Sequence, residues 1–287
     1  MNEPPKADYA SNALSDRNFN RVSKFIHERI GIFLPETKRK LLEGRLGKRM
    51  KITGISSISD YCDYLFTAEG IKEEISHMVD AVTTNKTDFF REAQHFAYLT
   101  DKALPELTRI KVISPTKRAL IWSSACSTGE EPYTLAMVLS EYAKKSNGFD
   151  FSILATDISS QVLGKAELAV YESEKIEPVP LELRKKYLLK SRDTARSVVR
   201  IVPELRQKVA FSRMNLIEKP YRVPDNLHVI FCRNVLIYFD EPTQEMVIRQ
   251  FCKHLVPGGY LFLGHSETLK KMDVPLEYVA PTVYRKC

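Results

Sequence analysis

Glycine is scarce, at 11 in 287 residues, tryptophan occurs once, and the 5 cysteines are scattered. Each scarcity excludes something. There is no G-x-G-x-x-G and no glycine-rich turn running into Lys and Ser or Thr, so the usual cradles for a dinucleotide or a nucleoside triphosphate are missing. Cys62, Cys126, Cys232, Cys252 and Cys287 are odd in number and show no C-x-x-C spacing. That argues against a disulfide framework and a zinc site, and for reduced thiols in the cytoplasm; no metal is expected. No apolar run reaches the roughly 18 to 20 residues of a membrane span, so no membrane insertion is expected. No secretory signal opens the chain. Internal repeats and low-complexity tracts are also absent.

What is present is ample for real cores: 44% of residues are hydrophobic and 28% charged, enough for one large domain or two modest ones. The net charge of +7 is concentrated. Lys38, Arg39, Lys40, Arg45, Lys48, Arg49 and Lys51 face a single acid, Glu43, within residues 38–51.

The stretch around which the chain is organised is LIWSSACSTGEEPYTLAMVL, Leu120 to Leu139. A short apolar run passes through small residues and continues as an apolar-periodic helix, with Pro132 in its first turn where a missing N–H is tolerated. Strand, small-residue turn and helix form the ligand-binding unit of an open α/β sheet. Two carboxylates, Glu130 and Glu131, stand at the helix start. They would repel a pyrophosphate and hold an ammonium group, as on S-adenosylmethionine; acids that merely suit the helix dipole are the alternative.

In chain order, residues 1–15 read as a flexible tail. Residues 16–82 read as a small helical domain. Phe19, Val22, Ile26 and Ile30 share one face of a first helix ended by Gly31, and a second begins near Pro35. There Leu42, Leu46 and Met50 form an apolar stripe beside a basic one of Lys38, Arg45, Lys48 and Arg49. That stripe is either a solvated face or a dock for an acidic helix or nucleic acid. Amphipathic segments follow at Ile58–Phe66 and Ile71–Val82.

Residues 83–118 read as linker and a helix before the sheet, with Asn85 as its cap, Asp88 as capping-box partner, and Phe89 and Phe90 as anchors. Arg91, near that helix start, calls for an anionic ligand or an acidic neighbour. An α/β alternation fills 119–287, with strands at Leu120–Ser124 and Phe151–Thr156 and helices at Pro132–Tyr142 and Ser159 to about Ala169. Asp157, just past the second strand, stands where such sheets bind ribose hydroxyls, and equally where a helix takes its cap. The pattern breaks at about 171–208, which reads as an insertion with a small strand pair. It resumes with VAFSRMNL, the strand Leu227–Cys232, a helix at Thr243–Leu255, a strand in VPGGYLFLG and a last one at Glu277–Arg285.

Taken together, TTNKTDFFRE, ACSTGEEPYTLAM, ATDIS, NLIEKPY, FCRNVLIYFD and LVPGGYLFLGHSE resemble the chemotaxis receptor methyltransferases, CheR, in order and spacing over about residues 16 to 285. The resemblance implies a Rossmann-like class I methyltransferase domain with an inserted small β-subdomain, preceded by a small all-α domain. It implies methyl transfer from S-adenosylmethionine to glutamate carboxylates on the cytoplasmic helices of chemoreceptors, leaving S-adenosylhomocysteine. The family's cofactor contacts fall on Asn85, Thr87, Arg91, Glu131, Asp157, Asn215, Leu216, Arg233 and Asn234. Arg91 and Tyr238 take the two positions beside the transferred methyl.

Elementary chemistry agrees with these roles. Glu131 can pair with an ammonium, Asp157 can accept from two hydroxyls, and Asn215 offers a donor and an acceptor to an adenine edge. A glutamate side chain is already ionised at neutral pH, so no general base is required. Orientation is the remaining task, and the planar fork of Arg91 matches a carboxylate. The basic stripe then has an acidic receptor helix as its partner. Its aliphatic rather than aromatic interleaving counts against nucleic acid. Some relatives grip a receptor C-terminal peptide through a glycine in the inserted subdomain. Ser197 stands there instead, with Arg196 and Arg206 as carboxylate binders nearby. A methyltransferase for another protein or for nucleic acid, and a non-catalytic S-adenosylmethionine-sensing scaffold, are the competing readings.

Overall fold

The computed structural model describes residues 13–113, 118–193, 197–270 and 272–287. The chain forms two units, Met1–Thr84 and Asn85–Cys287.

In the first unit, α1 (Asp16–Ile30) starts where the Ser15 hydroxyl accepts the Asn18 N–H (3.3 Å) and ends at Gly31 in the left-handed region (φ 76°). Most of the expected tail, residues 1–12, lies outside the described residues. Leu14 is no tail residue: it is buried, and its N–H donates to Glu43 Oε1 at 2.9 Å. A 3-10 turn (Glu36–Lys38) leads into α2 (Arg39–Thr53), which buries Leu42, Leu46 and Met50. Then come α3 (Ile58–Leu65), α4 (Ala68–Glu73) and α5 (Ile75–Val82).

The segment expected to be one amphipathic helix from Ile71 is therefore broken at Glu74. Gly70 approaches the end of α3 so closely that a Cβ would lie 2.0 Å from the Tyr64 carbonyl oxygen, and Ile71 is left exposed. The Glu74 carboxylate turns into the core, where it accepts from Arg49 Nε (2.7 Å), Arg49 Nη2 (2.8 Å) and the Tyr61 hydroxyl (2.7 Å). Arg45 meets the carbonyls of Val82 and Thr83 at the end of α5, and its Nη2 donates to Thr84 Oγ1 at 2.7 Å. The basic stripe read from the helical wheel is thus divided. Arg45 and Arg49 hold α2 against α5, while Lys38 and Lys48 are exposed.

The second unit begins earlier than the sheet. Residues 85–113, expected as linker and a capped helix, contain no helix until α6 (Gln94–Tyr98), which runs through a π-helical turn (Leu99–Ala103) into α7 (Leu104–Arg109). Phe90 and Glu92 sit at positive φ (55° and 56°), a geometry no helix start adopts. Phe89, Phe96, Leu99, Leu104 and Leu107 belong to the core of the unit. Phe96 stacks on Phe231 (5.8 Å), which stacks on Phe262 (4.4 Å). The segment is core because its apolar residues cover the sheet.

The elements that follow are β1 (Ala119–Ser123), α8 (Glu130–Lys145), β2 (Phe151–Asp157), α9 (Ser160–Leu168) and β3 (Val170–Glu172). The chain goes on through α10 (Leu181–Tyr187), β4 (Leu188–Lys190), β5 (Val198–Ile201), α11 (Pro203–Arg206) and β6 (Val209–Arg213). It ends with β7 (Leu227–Cys232), α12 (Glu241–His254), β8 (Leu255–Leu263), β9 (Leu276–Ala280) and β10 (Val283–Lys286).

The main sheet has the order β6-β2-β1-β7-β8-β10-β9. From β6 to β8 neighbouring strands are parallel, and β10 runs antiparallel between β8 and β9. The single last strand expected from the sequence is this β9–β10 hairpin. The insertion holds a second sheet of three strands, β3-β5-β4, rather than a pair. β1 pairs with both β2 and β7, so the winding reverses between β1 and β7, and a crevice opens at their carboxyl ends.

Candidate cofactor and active site

At the carboxyl end of β1 the chain makes a tight turn of small residues. Ser127 (φ 49°) and Gly129 (φ 96°) both take left-handed conformations. Gly129 is required, since a Cβ would stand 2.8 Å from the Tyr171 hydroxyl. The Ser127 N–H of this turn donates to Asp157 Oδ2 at 2.9 Å. Asp157 Oδ1 accepts from the Ser159 N–H at 3.0 Å. The cap of α9 is Ser159, not Asp157. Asp157 is thereby locked with both oxygens fixed at the end of β2. The Ser127 hydroxyl donates to the Asn85 carbonyl (2.9 Å), tying the segment of Asn85 and Thr87 to the same turn.

Glu131, in the first turn of α8, accepts from the Ser123 hydroxyl (Oε1, 2.7 Å) and from Arg233 Nε (Oε2, 2.7 Å). Arg233 follows β7 and is buried. Its Nη1 donates to the Arg91 carbonyl (2.7 Å) and lies 3.4 Å from Glu92 Oε2 and 3.2 Å from His95 Nδ1. Its guanidinium also lies over the Phe96 and Phe231 rings, 5.2 and 5.6 Å from their centroids. Arg233, expected from sequence to help complete the cofactor pocket, is held by these protein groups and fixes one oxygen of Glu131.

Asn234 (φ 59°) donates from Nδ2 to Glu92 Oε1 at 3.3 Å. Two residues on, a 3-10 turn (Leu236–Tyr238) carries Tyr238, which is half-buried. Arg91 is also half-buried, with Nη1 on the Lys86 carbonyl at 3.1 Å. Asn215 is used within its own turn: Nδ2 donates to Glu218 Oε1 (3.1 Å), and Oδ1 accepts from the Ile217 N–H (3.3 Å). Leu216 is buried beside it, its carbonyl accepting from the Tyr221 hydroxyl. In the inserted subdomain, the Ser197 carbonyl accepts from the Ser173 N–H at 2.9 Å. Arg206 lies in α11, and Arg196 falls outside the described residues.

The sequence reading missed Ser123, Glu92, His95 and Glu267. Their motifs were visible, but no spacing rule brings residues 92, 95, 233 and 267 together. Glu92, His95 and His265 place potential ligand atoms within 4.8 Å of one another, the one such group among the described residues. The Arg233 guanidinium already stands among those atoms, which suits a cationic neighbour poorly.

Two fixed carboxylates at the switch point, with no basic phosphate cradle, fit a ligand that is a cationic nucleoside with free ribose hydroxyls. This defines a Rossmann-like methyltransferase of class I. Comparison with known proteins carries the point further. The family model described as "CheR methyltransferase, SAM binding domain" matches residues 85–284, and "CheR methyltransferase, all-alpha domain" matches residues 17–83. The chain belongs to the CheR methyltransferase family, and its cofactor is S-adenosylmethionine. It is 38% identical over 268 residues to the chemotaxis protein methyltransferase of Borreliella burgdorferi, covering 93% of each chain. To that of Escherichia coli (strain K12) it is 36% identical over 272 residues, covering 95% of this chain and 91% of the other. No helix among the described residues is long and apolar enough to cross a membrane.

Proposed function

We propose that this chain methylates glutamate side chains on the cytoplasmic helices of chemoreceptors, giving methyl esters in chemotactic adaptation, and works in the cytoplasm. The observation that carries the reading is the locking of Asp157 and Glu131 at the switch point by Ser127, Ser159, Ser123 and Arg233. The names of the relatives, chemotaxis protein methyltransferases, supply the pathway.

S-adenosylmethionine, when bound, supplies an electrophilic methyl on a positively charged sulfur. In this reading Asp157 takes the ribose hydroxyls. Glu131 takes the ammonium through acceptor sites left after Ser123 and Arg233, since an ionised carboxylate has about four. Asn85, Thr87, Asn215, Leu216 and Asn234 line the nucleoside. Arg91 clamps the incoming carboxylate and Tyr238 orients it. No base is asked for: a free glutamate is ionised at neutral pH, so the protein's contribution is orientation. His95 fits this absence, because burial, aided by Arg233, holds its imidazole down to about 4 and its nitrogens are engaged by Thr282 and Arg233.

Docking of an acidic receptor helix falls to Lys38 and Lys48, with Arg45 and Arg49 shaping α2 from inside. Steering of this kind weakens with salt. A receptor C-terminal peptide has Arg206 as its basic candidate, while Ser197 restricts close backbone approach where a glycine would allow it.

The test offers labelled donor with chemoreceptor cytoplasmic fragments, and separately with RNA. Label on the receptor fragment that mild base releases is expected, because esters hydrolyse there. Base-stable label, or label on RNA, would overturn the reading.

A further inference from the structure

The turn after β8 delivers one carboxylate to the end of β7. Glu267 is 5% exposed. Its Oε2 accepts the N–H groups of Gly264 (2.6 Å) and Asn234 (2.9 Å), and its Oε1 accepts that of Leu236 (2.8 Å). Two of these three donors belong to residues 234–236, in the stretch that leads from the cofactor side at Asn234 to Tyr238.

That stretch cannot hold itself. Leu236–Tyr238 is a single 3-10 turn with no side-chain cap of its own, so its leading N–H groups need an acceptor from elsewhere. Asn234 sits in the left-handed region, which a residue with a Cβ keeps only when its surroundings impose it. Gly264 lets the imposing group come close, since a Cβ there would stand 2.5 Å from Asn234 Nδ2. Glu92 holds the Asn234 side chain, and Glu267 holds its backbone. No described cation pairs with Glu267, so its charge is matched by oriented N–H groups alone.

We propose that Glu267 is a positioning residue for methyl transfer: by gathering the N–H groups of Gly264, Asn234 and Leu236, it fixes the turn that presents Tyr238. The assignment rests on the reading of Tyr238 given above. Because Glu267 accepts on both oxygens, Glu267→Gln sets an NH2 against backbone donors while keeping shape.

The experiment measures kcat on receptor fragments, the Kd of S-adenosylhomocysteine, and the cycle with Tyr238→Phe. Glu267→Gln is expected to lower kcat by about 10- to 100-fold, the scale set by a misplaced group. The Kd is expected to weaken several-fold less than kcat falls, because Asp157 and Glu131 are untouched and Asn234 alone among the residues lining the nucleoside is held by Glu267. In the Tyr238→Phe background the same substitution is expected to cost less than about 3-fold, since the group it positions is already gone. Glu267→Asp, which keeps the charge but withdraws it by one methylene, is expected to behave likewise and serves if Glu267→Gln does not fold.

A slow Tyr238→Phe beside fully active Glu267 variants overturns this inference alone, as do additive effects in the cycle. Full activity of Tyr238→Phe overturns the reading of Tyr238 and the inference with it.

Discussion

Arg233 Nε lies 2.7 Å from Glu131 Oε2, and the two side chains are 2% and 11% exposed. The pair joins the end of β7 to the start of α8, across the place where the sheet reverses its winding. A buried pair of this kind contributes less by its attraction than by what its loss leaves behind: one partner stranded without water.

Arg233→Met is therefore expected to lower stability by about 3–5 kcal/mol and to weaken S-adenosylhomocysteine binding, because Glu131 is left buried and unbraced. Urea unfolding and calorimetric titration read the two effects. Unchanged affinity in the folded variant would show that Glu131 needs no brace.

Within α2 the basic residues are expected to separate into two kinds. Arg49→Met strands the buried Glu74 carboxylate and is expected to cost about 3 kcal/mol or more of stability. Lys48→Glu, on an exposed side chain, is expected to leave stability within about 0.5 kcal/mol. It should raise the KM for receptor fragments at low salt, with the difference fading as salt is added. Equal effects of the two substitutions on stability would contradict the division.

His95 gives the protein a pH dependence. Burial first, then the Arg233 guanidinium, hold its pKa down to about 4 from an ordinary 6.5. Below 6.5 the unfolded chain binds a proton that the folded one refuses until about 4. Stability therefore falls as pH drops through this window, by about 3 kcal/mol in all. Urea midpoints from pH 7.5 to 4 are expected to fall more steeply for wild type than for His95→Gln, whose residue 95 does not titrate. Parallel curves would show that His95 is not the group responsible.

Much of the fold was written in local pattern. The stripe Phe19, Val22, Ile26 and Ile30, the Gly31 end of α1, and the largely apolar β7 are all legible because helix and strand periodicities act over a few residues. The strand–turn–helix around Gly129 was legible for the same reason, and with it the places of Glu131 and Asp157. The break at Glu74 was not. It depends on Gly70 meeting the Tyr64 carbonyl, a contact between neighbouring helices that no wheel displays. Residues 85–113 misled in the opposite direction. Their caps and aromatics imitate a helix start, but Phe90 and Glu92 take positive φ and the helix begins only at Gln94.

The chemistry of the candidate site divides along the same line. Residue types and spacing alone determined that acids, not a phosphate cradle, wait at the strand ends, and that the chain is similar to a methyltransferase family. Only the tertiary structure decided what each charge faces. Arg233 reaches Glu131 from 102 positions away, and Glu267 reaches Asn234 from 33. Arg49 turns inward to Glu74 while Lys48 on the same helix meets solvent. The physical reason is that a buried charge must find a partner wherever the fold brings one, and partners are chosen by distance in space, which sequence spacing does not record.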